Sequence, residues 1–280
     1  MQPNDHFVTV NQINLHLRQW HPPIPSHKPP FLLVHGLASN AQTWDGVARY
    51  LAEHGHHTIA IDQRGHGLSD KPDDGYDFDQ ITDDIYQLLQ QLGWQKPILA
   101  GQSWGGNVMI SFGARYPDAA QQLICVDGGF LDLRIRGSWA EVSQALRPPP
   151  LAGTPRQKLY DRIRQAYPDW SEAGINATLA NFEHLPDGTI RPWLSLENHM
   201  RILRAMYDQQ PATLYPHVHT PVLFCVADDG TDWTASKRPR VEAAVAAVPQ
   251  ATAVWFPHTA HDIHVHRPQQ LAQTFLTATR

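Results

Sequence analysis

Ile98-Leu99-Ala100-Gly101-Gln102-Ser103-Trp104-Gly105-Gly106-Asn107-Val108-Met109 reads as a short apolar run, a Gly-x-Ser-x-Gly turn and a run that opens a helix. A serine on so tight a strand-to-helix turn has its hydroxyl pushed out above the sheet. The glycines two before and two after are needed because a Cβ at either would collide with the neighbouring strand and helix. Gly106 extends the small-residue patch where the helix packs back on the sheet. Gly-x-Ser-x-Gly alone recurs by chance in ordinary turns; the strand before it and the helix after it set this copy apart.

Outward from that turn the chain alternates strands and helices. Phe7–Val10 and Ile13–Trp20 alternate around Asn11-Gln12, as in an antiparallel hairpin at a sheet edge. His21–Pro30 carries five prolines and reads as a connecting loop. Phe31–Val34, Thr58–Ile61, Ile98–Gly101 and Gln122–Val126 are short apolar runs suited to strands buried on both faces. Between them, Ala41–His54 and Phe78–Leu92 carry apolar residues at helical spacing, and a helix follows Ser103 to about Tyr116. From Gly128 to about Pro216 the rhythm breaks at Pro148-Pro149-Pro150, and aromatic residues are scattered among irregular helical stretches. It returns with a strand at Val222–Val226, a helix near Lys237–Val248, a strand at Thr252–Phe256 and a helix from Pro268. The expectation is an α/β fold: a mostly parallel central sheet covered by helices on both faces. Residues 1–128 and 217–280 form the core, and residues 129–216 are an inserted, mainly helical cap.

Composition narrows the function classes. With 280 residues, 42% of them apolar and 18% charged, the chain can bury a large globular core. A net charge of −5, spread without long runs, argues against a nucleic-acid or anionic-membrane partner. Met1–Phe7 lacks the basic-then-apolar pattern of a signal peptide, and no apolar run approaches the about 18 residues that span a bilayer. Cys125 and Cys225 sit in apolar strand-like runs, so they read as buried free thiols. The expectation is a cytoplasmic enzyme, monomer or homodimer, that acts on a small molecule. No dinucleotide or phosphate-loop glycine pattern appears, so no cofactor is expected. Asp262-x-His264-x-His266 lacks a second ligand group and reads as loop polarity, so no metal is expected either.

Four motifs in order, His35-Gly36, Asp62-x-Arg64-Gly65-His66-Gly67, Gly101-Gln102-Ser103-Trp104-Gly105 and Thr259-Ala260-His261, make the chain resemble the α/β-hydrolase superfamily in its capped, esterase- and lipase-like branch. The resemblance runs along almost the whole chain except the cap. It implies that Ser103 is a nucleophile, and a serine hydroxyl needs an adjacent base to take its proton during attack. The chain has 17 histidines; the resemblance implies that His261, after the last strand, is that base. It implies backbone donors for an oxyanion at Leu37 and Trp104. The Asp62–Gly67 turn reads as scaffolding, and the cap aromatics read individually as packing.

Two positions offer the acid that orients the histidine. Most of the family places it after the strand that follows the cap, here Asp228-Asp229, with Asp229 favoured; yet the usual Gly-x-x-Asp spacing would fall on Gly230. A minority of relatives place it one strand earlier, at Asp127. A serine at the elbow implies acyl transfer rather than the carboxylate chemistry of epoxide hydrolases and haloalkane dehalogenases. The expected reaction is hydrolysis of small to medium apolar carboxylic esters or lactones. A C–C bond hydrolase with the same triad and a slow-turnover ligand receptor of the same fold are the alternatives; no lone arginine in the cap is evidently set for a carboxylate.

Overall fold

A computed structural model describes residues 1–279. Strands β1 (Asn4–Val10) and β2 (Ile13–Trp20) form the expected hairpin, and β3 (Phe31–Val34), β4 (Thr58–Ile61), β5 (Ile98–Gln102) and β6 (Gln122–Val126) follow. Helices α1 (Asp45–Glu53), α2 (Phe78–Leu92) and α3 (Trp104–Arg115) connect them. The first expected helix splits: Ala41–Trp44 is a 3-10 turn, capped by the Asn40 side chain, and the α-helix starts only at Asp45. Helix α2 has the expected bounds, set by Asp77 as N-cap and by Gly93, whose φ of 64° closes the C-terminus.

After β6 come α4 (Trp139–Ala145), β7 (Thr154–Pro155), α5 (Arg156–Ala166), α6 (Glu172–Leu179), β8 (Phe182–His184), β9 (Thr189–Pro192), α7 (Leu196–Asp208) and α8 (Pro211–Leu214). The chain then returns through β10 (Val222–Asp228), α9 (Asp232–Ala247), β11 (Ala251–Pro257), α10 (Ile263–His266) and α11 (Pro268–Ala278). The main sheet has the order β1-β2-β4-β3-β5-β6-β10-β11. All pairs beyond β2 and β4 are parallel. This is the expected α/β-hydrolase architecture, a mostly parallel sheet with helices on both faces.

The central strands are buried on both faces, and their side chains alternate between two cores. Leu32, Val34, Leu99, Leu123 and Phe224 join α2, α3 and α9 on one face. Phe31, Leu33, Ile98, Ile124 and Leu223 join α1 and α11 on the other. Each such large side chain, moved from water into the core, contributes about 1.5–3 kcal/mol. Cys125 and Cys225 are free and buried, one on each face.

Residues 129–216 are less purely helical than expected. Strands β7, β9 and β8 form a small antiparallel sheet, turned at Pro186-Asp187-Gly188 by the Asp187 side chain accepting from the Thr189 amide (2.9 Å). A third apolar cluster of Leu159, Ile163, Trp170, Ile175, Leu179 and Ile190 fills this segment. No helix among the described residues is long and apolar enough to cross a membrane.

The chain leaving β6 passes close over the turn at Ser103. A Cβ on Gly128 would stand 2.1 Å from the Ser103 carbonyl oxygen. Gly128→Ala is therefore expected to cost about 1–3 kcal/mol by overpacking, read as a fall of several degrees in Tm by thermal denaturation.

Candidate active site

Ser103 sits between β5 and α3 with φ 53° and ψ −117°. A non-glycine residue there stores about 1–3 kcal/mol of backbone strain. Its neighbours hold it in place: the Ser103 N–H donates to Val126 O (2.8 Å), and Gly106 N–H donates to Ser103 O (2.9 Å). The flanking glycines are needed for close approach. A Cβ on Gly101 would stand 2.1 Å from Gly105 O, and one on Gly105 would stand 2.7 Å from both Val34 O and His35 O.

The Trp104 N–H is the first of α3, where no intrahelical acceptor exists and the helix dipole favours negative charge. Neither it nor the Leu37 N–H has a hydrogen-bond acceptor among the described residues. The loop carrying Leu37 is braced by two buried histidines, each held below its ordinary pKa chiefly by burial. His35 donates to Gly36 O (2.7 Å) and accepts from Gln63 N–H (3.0 Å). His66 donates to Arg64 O (3.0 Å) and accepts from Ala38 N–H (3.2 Å). Asp62 accepts from the Ala41 and Leu68 amides and from His16. Burial alone would raise its pKa, but the His16 hydrogen bond and the neighbouring histidine charges hold it at about 2. Arg64 makes a two-pronged pair with Asp84. The Asp62–Gly67 turn is thus committed to bracing.

His261 follows β11, and its Nδ1 lies 2.6 Å from Asp127 Oδ2. Asp127 stands just past β6, with φ 42°. Its Oδ1 accepts from the Ala227 amide (3.0 Å), and both oxygens accept from Lys237 Nζ (2.8 and 3.1 Å). Asp127 and Lys237 are each 2% exposed at the side chain, whereas His261 is 46% exposed, so only the imidazole can be reached from the cleft. Burial would raise the Asp127 pKa, but His261 and Lys237 outweigh it and hold the carboxyl below its ordinary value. Desolvation pulls His261 down, but the Asp127 hydrogen bond and charge overcome it, so its pKa lies above 6.5.

Asp229 is elsewhere. Its Oδ1 accepts from the Thr231 amide and from the Thr231 and Thr234 hydroxyls, so it shapes the entry to α9. Asp228 accepts from the Gly230 amide. Of the expected candidates the structure brings Asp127, not Asp229, to His261. Asp262, His264 and His266 do not converge: His264 packs against Trp44, and His266 bonds to the Ala260 amide and Asp169.

Ser103, His261 and Leu37 line two cavities. One, of about 210 Å³, has a polar wall of Thr43, Gln102, Thr178, Asn181 and Asp262. The other, of about 350 Å³, is walled by Leu131, Leu133, Leu146, Leu203 and Met206, with Arg136, Trp233 and Arg240. Sequence reading did not single out Lys237, Arg136 or Arg240. A lone lysine or arginine on a helix carries no local signal of the buried acid or cavity that folding brings to it.

A sequence model described as the alpha/beta hydrolase fold matches residues 29–266. The 2-(acetamidomethylene)succinate hydrolase of Mesorhizobium japonicum is 34% identical over 128 residues, 44% of this chain and 44% of that protein. Epoxide hydrolase 1 of Caenorhabditis elegans is 33% identical over 140 residues, 48% of this chain and 34% of that one. The chain thus spans less than half the length of these curated relatives. Among solved structures, E-2-(acetamidomethylene)succinate hydrolase superposes with a TM-score of 0.78 at 23% identity over 98% of both chains. The thioesterase domain from the curacin biosynthetic pathway gives 0.79 at 20% identity over 99% of this chain and 100% of that one. At these identities the structural likeness is one of fold.

Proposed function

The chain belongs to the alpha/beta hydrolase fold family, and we propose that within it this protein is a serine hydrolase cleaving carboxylic esters, lactones included, through an acyl-enzyme. One observation carries the reading. Ser103, on its strained turn, and His261, paired at 2.6 Å with a buried Asp127, line the same cavities. Asp127 fixes the imidazole with its proton on Nδ1, which leaves Nε2 free to accept the Ser103 proton as Oγ attacks the carbonyl carbon. The oxyanion that forms is met by the Leu37 and Trp104 amides; a well-placed donor of this kind is worth about 3–4 kcal/mol in the transition state. His261 then passes the proton to the departing alcohol, and water, deprotonated by the same nitrogen, releases the acid. Asp127 remains ionised throughout and stabilises the imidazolium.

Opening an epoxide calls instead for a carboxylate at the elbow, and the residue here is Ser103. Residues 129–216 serve as the cap over this site. Asn40 donates to Ala177 O (2.9 Å), and Asn107, one turn into α3, donates to Leu131 O (2.8 Å) and Gln209 Oε1 (2.7 Å), which ties the segment to the core at two places.

The test is covalent. A fluorophosphonate is expected to leave a single adduct on Ser103 by peptide mass spectrometry. p-Nitrophenyl acetate and butyrate should turn over for many cycles with the wild type and not at all with Ser103→Ala. A single burst without further turnover would point to a ligand receptor, and no adduct with untouched esters would sink the hydrolase reading.

A further inference from the structure

The more apolar of the two cavities beside Ser103 carries two guanidinium groups on a wall of leucines and a methionine that also includes Trp233, His199 and Asp132. Arg136 comes from a 3-10 turn (Leu133–Arg136) past β6, and Arg240 from α9, so two separate parts of the chain deliver like charges to one place. Both lie close to one indole: their Cζ atoms are 4.4 and 5.3 Å from the Trp233 ring centroid. Nε and Nη2 of Arg240 are buried and have no hydrogen-bond partner. Asp132, on the same wall, makes no hydrogen bond to either, because its carboxylate accepts from the Arg134 side chain (3.2 and 2.9 Å) and amide (3.0 Å). Partial burial pulls both arginines below their ordinary pKa; for Arg240 the charge of Arg136 adds to this and that of Asp132 opposes it. Buried donors without acceptors, held beside a like charge, are costly unless an anion completes them. A planar guanidinium fork matches a carboxylate in shape and charge.

We propose that Arg136 and Arg240 bind a free carboxylate on the acyl part of the substrate, which makes the natural substrate a half-ester, or comparable half-acyl derivative, of a dicarboxylic acid. This rests on the serine hydrolase reading of Ser103 and His261. The acyl side is assigned because this cavity is the apolar one, while the polar cavity lined by Gln102, Thr178, Asn181 and Asp262 suits the departing alcohol and incoming water. The anion fixes one end of an apolar chain whose other end is the scissile carbonyl at Ser103.

The test compares mono-p-nitrophenyl esters of glutaric, adipic and suberic acid with the same molecules capped as methyl esters. At the best chain length the wild type is expected to favour the free acid in kcat/KM by about ten-fold or more, the scale of one charge-assisted hydrogen bond. In Arg136→Gln and in Arg240→Gln that ratio should fall about ten-fold; being internal to each protein, it is insensitive to a general loss of rate. No preference for the free acid at any length, or a preference that survives both substitutions, would overturn the proposal. A second readout needs no turnover. Glutarate, adipate or suberate should raise the Tm of the Ser103→Ala protein, and the rise should vanish when Arg240→Gln is added. If no ester is cleaved and Ser103 takes no fluorophosphonate, the hydrolase reading has failed, and a Tm rise that needs Arg240 would still uphold the carboxylate site. Absence of any Tm rise in that case would remove it as well.

Discussion

Asp127→Asn is expected to lower kcat/KM for p-nitrophenyl butyrate by about ten-thousand-fold, whereas Asp229→Asn should leave it within about two-fold, as surface changes do. The asymmetry follows from what the two side chains hold. Asp127 receives an imidazole, an ammonium and a backbone amide on two oxygens. An amide in its place offers one acceptor and one donor. If its oxygen faces His261, its NH2 is set against the Lys237 ammonium and the Ala227 N–H. If its NH2 faces His261, the imidazole must present Nδ1 as the acceptor and carry its proton on Nε2, where it cannot take one from Ser103. Asp229 touches only threonines at the mouth of α9.

The pH profile separates a loss of orientation from a loss of folding. His261 must be neutral to act as base, and Asp127 raises its pKa above 6.5. Wild-type kcat/KM should therefore climb with pH along an acid limb centred above 6.5 and level off beyond it. Without the Asp127 charge the imidazolium loses its stabilisation, so the residual activity of Asp127→Asn should have its limb at lower pH. A limb that stays in place while the rate collapses would mean that Asp127 is not the partner His261 titrates against.

The elbow and the order of strands were legible in the sequence, because each has a local cause, whereas His261 was reached only through the family resemblance of the loop after the last strand. Gly101 and Gly105 are required by contacts within a few residues or with the adjacent strand, and the buried strands show as apolar runs. The acid was not legible between Asp127 and Asp229, since both follow central strands and neither has a residue pattern of its own. What separates them is the path of the chain after each strand: Asp127 turns inward with φ 42°, and Asp229 is drawn into the start of α9 by Thr231 and Thr234. The small sheet within residues 129–216 was missed for a different reason. Strands of two to four residues are too short to show alternation, although Pro186-Asp187-Gly188 is a turn signal. Arg136 and Arg240 lie more than a hundred residues apart and come together only in the folded cavity beside Trp233, so no window of sequence contains the pair.

Lys237→Met is expected to cost about 3–5 kcal/mol of stability, the usual result of breaking a buried ion pair by removing one partner. Methionine fills the space left by the lysine stem, so cavity formation contributes little. The cost comes from Asp127, which keeps its burial and loses the donor that spans both of its oxygens. It should depend on pH in a definite sense. In the wild type Lys237 opposes protonation of His261 while Asp127 favours it. With the lysine gone, the folded-state pKa of His261 rises further above its unfolded value. A raised histidine pKa contributes stability that is complete below the unfolded value and is lost as pH climbs through the folded one. Urea denaturation should therefore find wild type and variant closest in acid, where the imidazolium takes over as the counter-ion, and furthest apart once His261 is neutral. The acid limb of kcat/KM should move to higher pH in the variant, opposite to its movement in Asp127→Asn. A combined Asp127→Asn and Lys237→Met protein should be more stable than the sum of the single losses allows, because neither charge is then left buried alone. Equal destabilisation at all pH values, or strict additivity, would show that Lys237 and Asp127 do not act on His261 as one unit.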